Sequence, residues 1–385
     1  MLRPLLLTLG CLALAACGTG QLTGPTCAAL ESFTGTAPAE ALRSAPPPDT
    51  VEADIAEVMS APVQSALSQR RSILAISAGG QNGAFSSGFL TGWTERGNRP
   101  EFDIVTGASA GALVAPVAFL GAEFDEELRR NTGIGDEDVF RRRGTLGALS
   151  SNSFFDTGPL ASRVTALYSD PAFWDALIAQ TQSQRLLLIG ATDIETGRFQ
   201  RFDFASLLRA DKPVEEKKTC LVEATLASAA IPGLFPPRKI NDRLFVDAGV
   251  RQAIFLDQIT RELDRQRGAG GAEVYLLING TLDFASSDVD PQLLPLIGRN
   301  LEILTDEGMR ASILSVLERA QFKGWRLRAA AIDALPDCGD EGDTVFSRCV
   351  TEALFEAGRA RALSDDPWLS AEELRQALEN GRVER

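Results

Sequence analysis

Ser109 stands in Gly107-Ala108-Ser109-Ala110-Gly111, a Gly-x-Ser-x-Gly pentapeptide, in a chain of 385 residues that contains no histidine. A serine nucleophile needs a base to take its proton and an acid to return one to the leaving group. With no imidazole available, a Ser-His-Asp hydrolase is excluded by composition. The base is then a carboxylate or a lysine, or Ser109 is a helix-capping serine in a tight turn.

The elements around Ser109 suit a nucleophile. The apolar run from Phe102 to Thr106 predicts a buried strand, and Ala112 to Leu120 predicts an apolar helix. Small residues on both sides of Ser109 allow a cramped backbone that lifts Oγ above a sheet at the positive end of the helix dipole.

A second strand-to-helix junction lies upstream. Ile73 to Ser77 predicts a strand, Ala78-Gly79-Gly80-Gln81-Asn82-Gly83 a glycine-rich loop, and Ser86 to Trp93 a helix. Free backbone N–H groups in such a loop face an anion. In acyl transfer that anion is the tetrahedral oxyanion, with Gly79 and Gly80 as candidate donors; a packing turn is the structural alternative. The loop lacks a P-loop Gly-Lys-Ser/Thr and departs from Gly-x-Gly-x-x-Gly at its first residue, so nucleotide binding is disfavoured. Further on, Leu244-Phe245-Val246 leads into Asp247-Ala248-Gly249, either a surface turn or a carboxylate at a strand end, where ligand sites of open α/β sheets gather.

These segments together resemble the patatin-like phospholipases, lipid acyl hydrolases with a Ser/Asp dyad. The family's glycine-rich loop, Gly-x-Ser-x-Gly elbow and aspartate box are matched in order, and Ala227-Ser228-Ala229-Ala230-Ile231-Pro232 is similar to its Ala-Ser-x-Ala-x-Pro segment. The resemblance covers roughly residues 72 to 280. It implies that Ser109 attacks an ester carbonyl, Asp247 takes the proton, Gly79 and Gly80 hold the oxyanion, and water releases the acyl group from an acyl-serine, with no cofactor or metal. Asp247 then needs an apolar site that raises its pKa from about 3.9. Ala78, Asn82 and Ala248 depart from the family pattern. Asn82 replaces a basic residue, so the expected substrate is a neutral ester or lysolipid. A transacylase with the same dyad, and a lipid-binding or scaffolding lipoprotein that has lost the chemistry, are the rival functions.

At the N-terminus, Arg3 and the apolar run from Leu5 to Leu14 form a secretory signal too short to span a bilayer. Leu14-Ala15-Ala16-Cys17 looks like a bacterial lipobox, which predicts a signal peptide over residues 1–16, lipid on Cys17 and an exported protein anchored to an envelope membrane. An ordinary signal peptide is the alternative. A net charge of −14 disfavours a nucleic-acid partner. In an exported chain Cys27, Cys220, Cys338 and Cys349 suggest disulfides: Cys338 with Cys349 across a polar loop, leaving Cys27 to Cys220, or else free buried thiols.

Residues 17–69 are expected to be a lipidated start, Pro/Gly-rich linker and extension, 70–285 the catalytic domain, and 286–385 a helical region packed on it. The fold class is α/β: a three-layer α/β/α sandwich whose mainly parallel sheet has candidate strands at Ile73 to Ser77, Phe102 to Thr106, Arg185 to Thr192, Leu244 to Asp247 and Val274 to Asn279. The charge run from Glu215 to Lys218 reads as a solvated loop. Apolar residues from Leu293 to Leu327 recur at helical spacing, Thr351 to Leu363 predicts a helix, and Ser370 is a candidate N-cap for another.

Overall fold

The structure, a computed structural model, describes residues 22–31 and 71–383 apart from 131, 145–150, 181, 182, 184, 257–270, 284–288, 290 and 340–343. The expected signal peptide, Cys17 and most of the linker lie outside the described residues.

Eleven described strands are β1 (Arg71–Ile76), β2 (Ile104–Gly107), β3 (Arg141–Arg142), β4 (Phe155–Asp156), β5 (Leu186–Asp193), β6 (Arg198–Asp203), β7 (Arg238–Ile240), β8 (Arg243–Val246), β9 (Ala272–Thr281), β10 (Arg326–Ile332) and β11 (Leu369–Ser370). The longer described helices are α1 (Gly83–Glu95), α2 (Ala110–Leu120), α3 (Gly158–Ser169), α4 (Pro171–Ala179), α5 (Val214–Ser228), α6 (Leu293–Phe322), α7 (Arg348–Leu363) and α8 (Ala371–Val383).

Nine strands form one sheet in the order β11-β10-β9-β1-β2-β5-β8-β7, with β6 also on β5. The run β10-β9-β1-β2-β5 is parallel, and the outer pairings are antiparallel. Within β1, Leu74 and Ile76 enter one core with α1, α2, α5 and α7, while Ile73 and Ala75 enter a second with α6 and α8. Both faces are covered, which is why the central strands read as unbroken apolar runs. This is the expected three-layer α/β/α sandwich.

Three local expectations are corrected. Glu215 to Lys218 is the first turn of α5, not a loop; Glu215 and Glu216 sit where the helix dipole favours anions, and Lys212 pairs with Glu216 at 3.0 Å. Leu327 belongs to strand β10, not to a helix. The expected helical region over 286–385 therefore adds strands to the sheet instead of only packing on it. Third, β8 is antiparallel to β5, with Val246 opposite Thr192. Asp247, just past the end of β8, thus approaches from the opposite direction to Ser109, and the two can meet because β5 runs past the level of Gly107, whose partner is Ile189.

Both expected disulfides form, Cys27–Cys220 and Cys338–Cys349. The first pins residues 22–31 to the body, where Asn241 N–H also donates to Pro25 O at 3.1 Å and Cys27 N–H donates to the Asn241 side chain. Ser370 caps α8 reciprocally: its Oγ accepts from Glu373 N–H at 3.3 Å and Glu373 Oε2 accepts from Ser370 N–H at 2.7 Å.

Candidate active site

Ser109 lies between β2 and α2 with φ 51° and ψ −117°, a conformation that costs a non-glycine residue free energy. The surroundings over-determine it. Ser109 N–H donates to Ser228 Oγ at 2.9 Å, and Ala108 N–H donates to Ile76 O at 3.2 Å. Gly111 leaves no room for a side chain, since a Cβ there would lie 2.4 Å from Ile76 O and 2.8 Å from Ser77 O. The second glycine of the pentapeptide therefore lets α2 start directly against the end of β1.

Ser109 Oγ donates to Asp247 Oδ2 at 2.6 Å, and both residues are buried. Asp247 is fixed at every polar atom: Oδ1 accepts from Gly249 N–H at 2.7 Å, its N–H donates to Ala230 O at 2.9 Å, and its carbonyl accepts from Thr192 Oγ1 at 2.9 Å. Burial pushes its carboxyl up to about 6, against the opposing hydrogen bonds from Ser109 and Gly249. The apolar site expected around this aspartate is present: Phe245, Val246 and Ala248 are buried, although Val250 is exposed.

The glycine-rich loop follows β1. Gly80 has φ 56°, in the left-handed region, and a Cβ on Gly79 would collide with Asn279 O at 2.3 Å. Among the described residues, neither Gly79 N–H nor Gly80 N–H donates to a protein acceptor, and Gly80 lines the same cavity as Ser109. Gly80 thus offers a donor at the cavity that Ser109 lines, whereas Gly79 is not among the residues lining it. Asn279 holds the loop from behind. Its Nδ2 donates to Ser77 O at 2.9 Å, its Oδ1 accepts from Ser86 N–H at 3.2 Å, and its N–H donates to Ser77 Oγ at 2.8 Å.

The cavity at Ser109 has a volume of about 620 Å³, within the range of small-molecule sites. Its walls are mainly apolar, including Leu113, Ile134, Leu160, Val164, Ile231 and Phe235. Charged residues of both signs complete it, with Glu127 paired to Arg130 at 2.6 Å. Such a cavity is mainly apolar and offers no excess of positive charge.

Ser109, Asp247, Ser228 and Asn279 come from four separate stretches of chain. Ser228 and Asn279 had no role assigned from sequence. Ser228 sat inside the Ala227 to Pro232 segment, and Asn279 ended a candidate strand; a buried amide closing a strand of Val, Leu and Ile was the available signal.

Residues 74–259 match the family model of the patatin-like phospholipases. Among solved structures, the chain is similar to VipD from Legionella pneumophila, with 12% identity and a TM-score of 0.36 over 81% of this chain and 67% of that one. No curated protein matches the chain.

Proposed function

Since the chain belongs to the patatin-like phospholipases through residues 74–259, and so to a family of lipid hydrolases, we propose that it cleaves carboxylic ester bonds of lipids with a Ser109/Asp247 dyad. The observation that carries this reading is the 2.6 Å hydrogen bond from Ser109 Oγ to Asp247 Oδ2 beside an apolar cavity. Asp247 takes the Ser109 proton as Oγ adds to the ester carbonyl carbon. The oxyanion accepts hydrogen bonds from Gly79 and Gly80 N–H. Collapse expels the alcohol, which receives the proton from Asp247, and leaves an acyl-serine. Water, deprotonated by Asp247, then releases the fatty acid and regenerates Ser109.

The balanced charges around the cavity and the neutral Asn82 favour a neutral ester or lysolipid over an anionic phospholipid. The lipobox supports lipid on Cys17 and a place at an envelope membrane.

The test is labelling of purified protein lacking residues 1–17 with a fluorophosphonate, read by intact mass. Wild type gains one adduct, Ser109→Ala gains none, and Asp247→Asn reacts at least 100-fold more slowly, as expected for loss of a general base, worth about 10²–10⁴. An unlabelled but folded wild type refutes the dyad mechanism.

A further inference from the structure

Phe346 also lines the Ser109 cavity, and it comes from a segment far outside residues 74–259. It belongs to the loop closed by Cys338–Cys349, just before α7. Its ring stands 6.5 Å from Phe140, edge to face, and Phe140 stacks on Phe155 at 4.1 Å. Phe235, which also lines the cavity, completes the cluster at 5.8 Å from Phe140. Phe235 and Phe346, the two of these rings that line the cavity, are therefore joined through Phe140, and one member of the cluster, Phe346, is supplied by the C-terminal region.

Several contacts hold that member in place. Phe346 N–H donates to Asp136 Oδ1 at 2.8 Å, and the Arg348 guanidinium pairs with Glu137 and, at 2.8 Å, with Asp138. The Asp136–Val139 helix thus clamps the loop, and its Val139 lines the cavity too. Ser347 N–H donates to Gln81 Oε1 at 2.9 Å. Gln81 directly follows Gly80, so the loop that carries Phe346 is tied to the oxyanion loop by one hydrogen bond.

Resting on the lipid esterase reading above, we propose that Phe346 is a specificity-determining residue that sets acyl-chain preference, with the Asp136–Val139 helix and the Cys338–Cys349 bridge bracing it and Gln81 as the tie that keeps it in register with the oxyanion donors. The substrate class is a fatty acyl ester whose chain lies against the cavity wall. A long chain covers far more of the cavity wall than a butanoyl group does, so a change in the size of one wall ring acts more on the long chain, and the ring discriminates by length.

The experiment measures kcat/KM for p-nitrophenyl butanoate, octanoate, dodecanoate and hexadecanoate with the disulfide-bonded protein lacking residues 1–17 and with Phe346→Ala, Phe346→Leu and Phe346→Trp. A pocket contact of this kind is worth about tenfold. The ratio of hexadecanoate to butanoate should rise about tenfold in Phe346→Ala, rise less in Phe346→Leu and fall in Phe346→Trp. Cys338→Ser with Cys349→Ser, and Gln81→Ala, should move the ratio in the direction of Phe346→Ala. A purely structural role would lower all four substrates together, so ratios within twofold of wild type in Leu and Trp variants that melt like wild type overturn the proposal. A wild type that cleaves the series but keeps its ratio in every variant leaves the esterase reading intact and removes only this one. Absence of both cleavage and Ser109 labelling in wild type removes both.

Discussion

Asp247 carries a conflict between folding and chemistry. A carboxyl raised to about 6 is protonated below that pH, when it cannot accept the Ser109 proton. The expected profile of kcat/KM rises with pH through an apparent pKa near 6 and is flat above it; Asp247→Asn should lose that limb with most of its activity. Stability runs the other way. Because the folded pKa lies above the unfolded one, this residue's contribution is fully present below about pH 4, declines between about 4 and 6, and is absent above. At pH 7 the buried charge costs up to about 3 kcal/mol. Asp247→Asn should therefore shift the urea midpoint upward at pH 7 and much less at pH 4, and an unchanged midpoint at pH 7 would refute this account. Ser109 and Asp247 were legible because short glycine-framed motifs carry them. Ser228, Asn279 and Phe346 were not, because each acts by position in space, which neither local spacing nor polarity encodes.

At the scale of elements, α1 and α7 approach unusually closely. A Cβ on Gly88 would lie 1.8 Å from Phe355 O, and one on Gly358 would lie 2.1 Å from Phe85 O. The glycine-rich loop leads into α1 and the Phe346 segment into α7, so this contact fixes these two parts of the cavity rim relative to each other. Gly88→Ala must push the helices apart. It should cost about 2–3 kcal/mol, as overpacking does, seen as a lower urea midpoint together with reduced kcat/KM. An unaffected midpoint would show that the helices yield freely. Periodicity identified the central parallel strands, whose two buried faces make continuous apolar runs. It failed for β6, where exposed Arg198 begins a strand covered on fewer sides, and for β10, where Ala329, Ala330 and Ala331 fit helix and strand equally.

The whole molecule does not divide where the family match ends. β10 pairs in parallel with β9 over most of its length, α7 covers α1, and Arg310 of α6 donates to Leu282 O at 2.8 Å and to Leu378 O. A chain ending at residue 285 would expose one edge of the parallel sheet and the apolar face of α1. It should lack a cooperative melting transition and label poorly with fluorophosphonate; a folded, active truncation would show that the catalytic part is autonomous. From sequence, the change from candidate strands to helical spacing after about residue 285 suggested a boundary, and the pairing of β10 with β9 went unseen because sheet order is not written in chain order.

The Cys27–Cys220 bridge changes the geometry of any leash. A lipid on Cys17 would be joined to the body through ten residues, a span of at most about 35 Å, whereas the path from Cys17 to Arg71 would reach about 190 Å fully extended. The bridge takes the proline-rich stretch out of that path and makes it a closed side loop. With the proposed lipid in place, the body would be confined to a thin layer above the bilayer, where the local concentration of ester bonds would be set by the membrane and not by the surrounding fluid. Reduction of one disulfide would lengthen the leash about fivefold and let the body leave that layer.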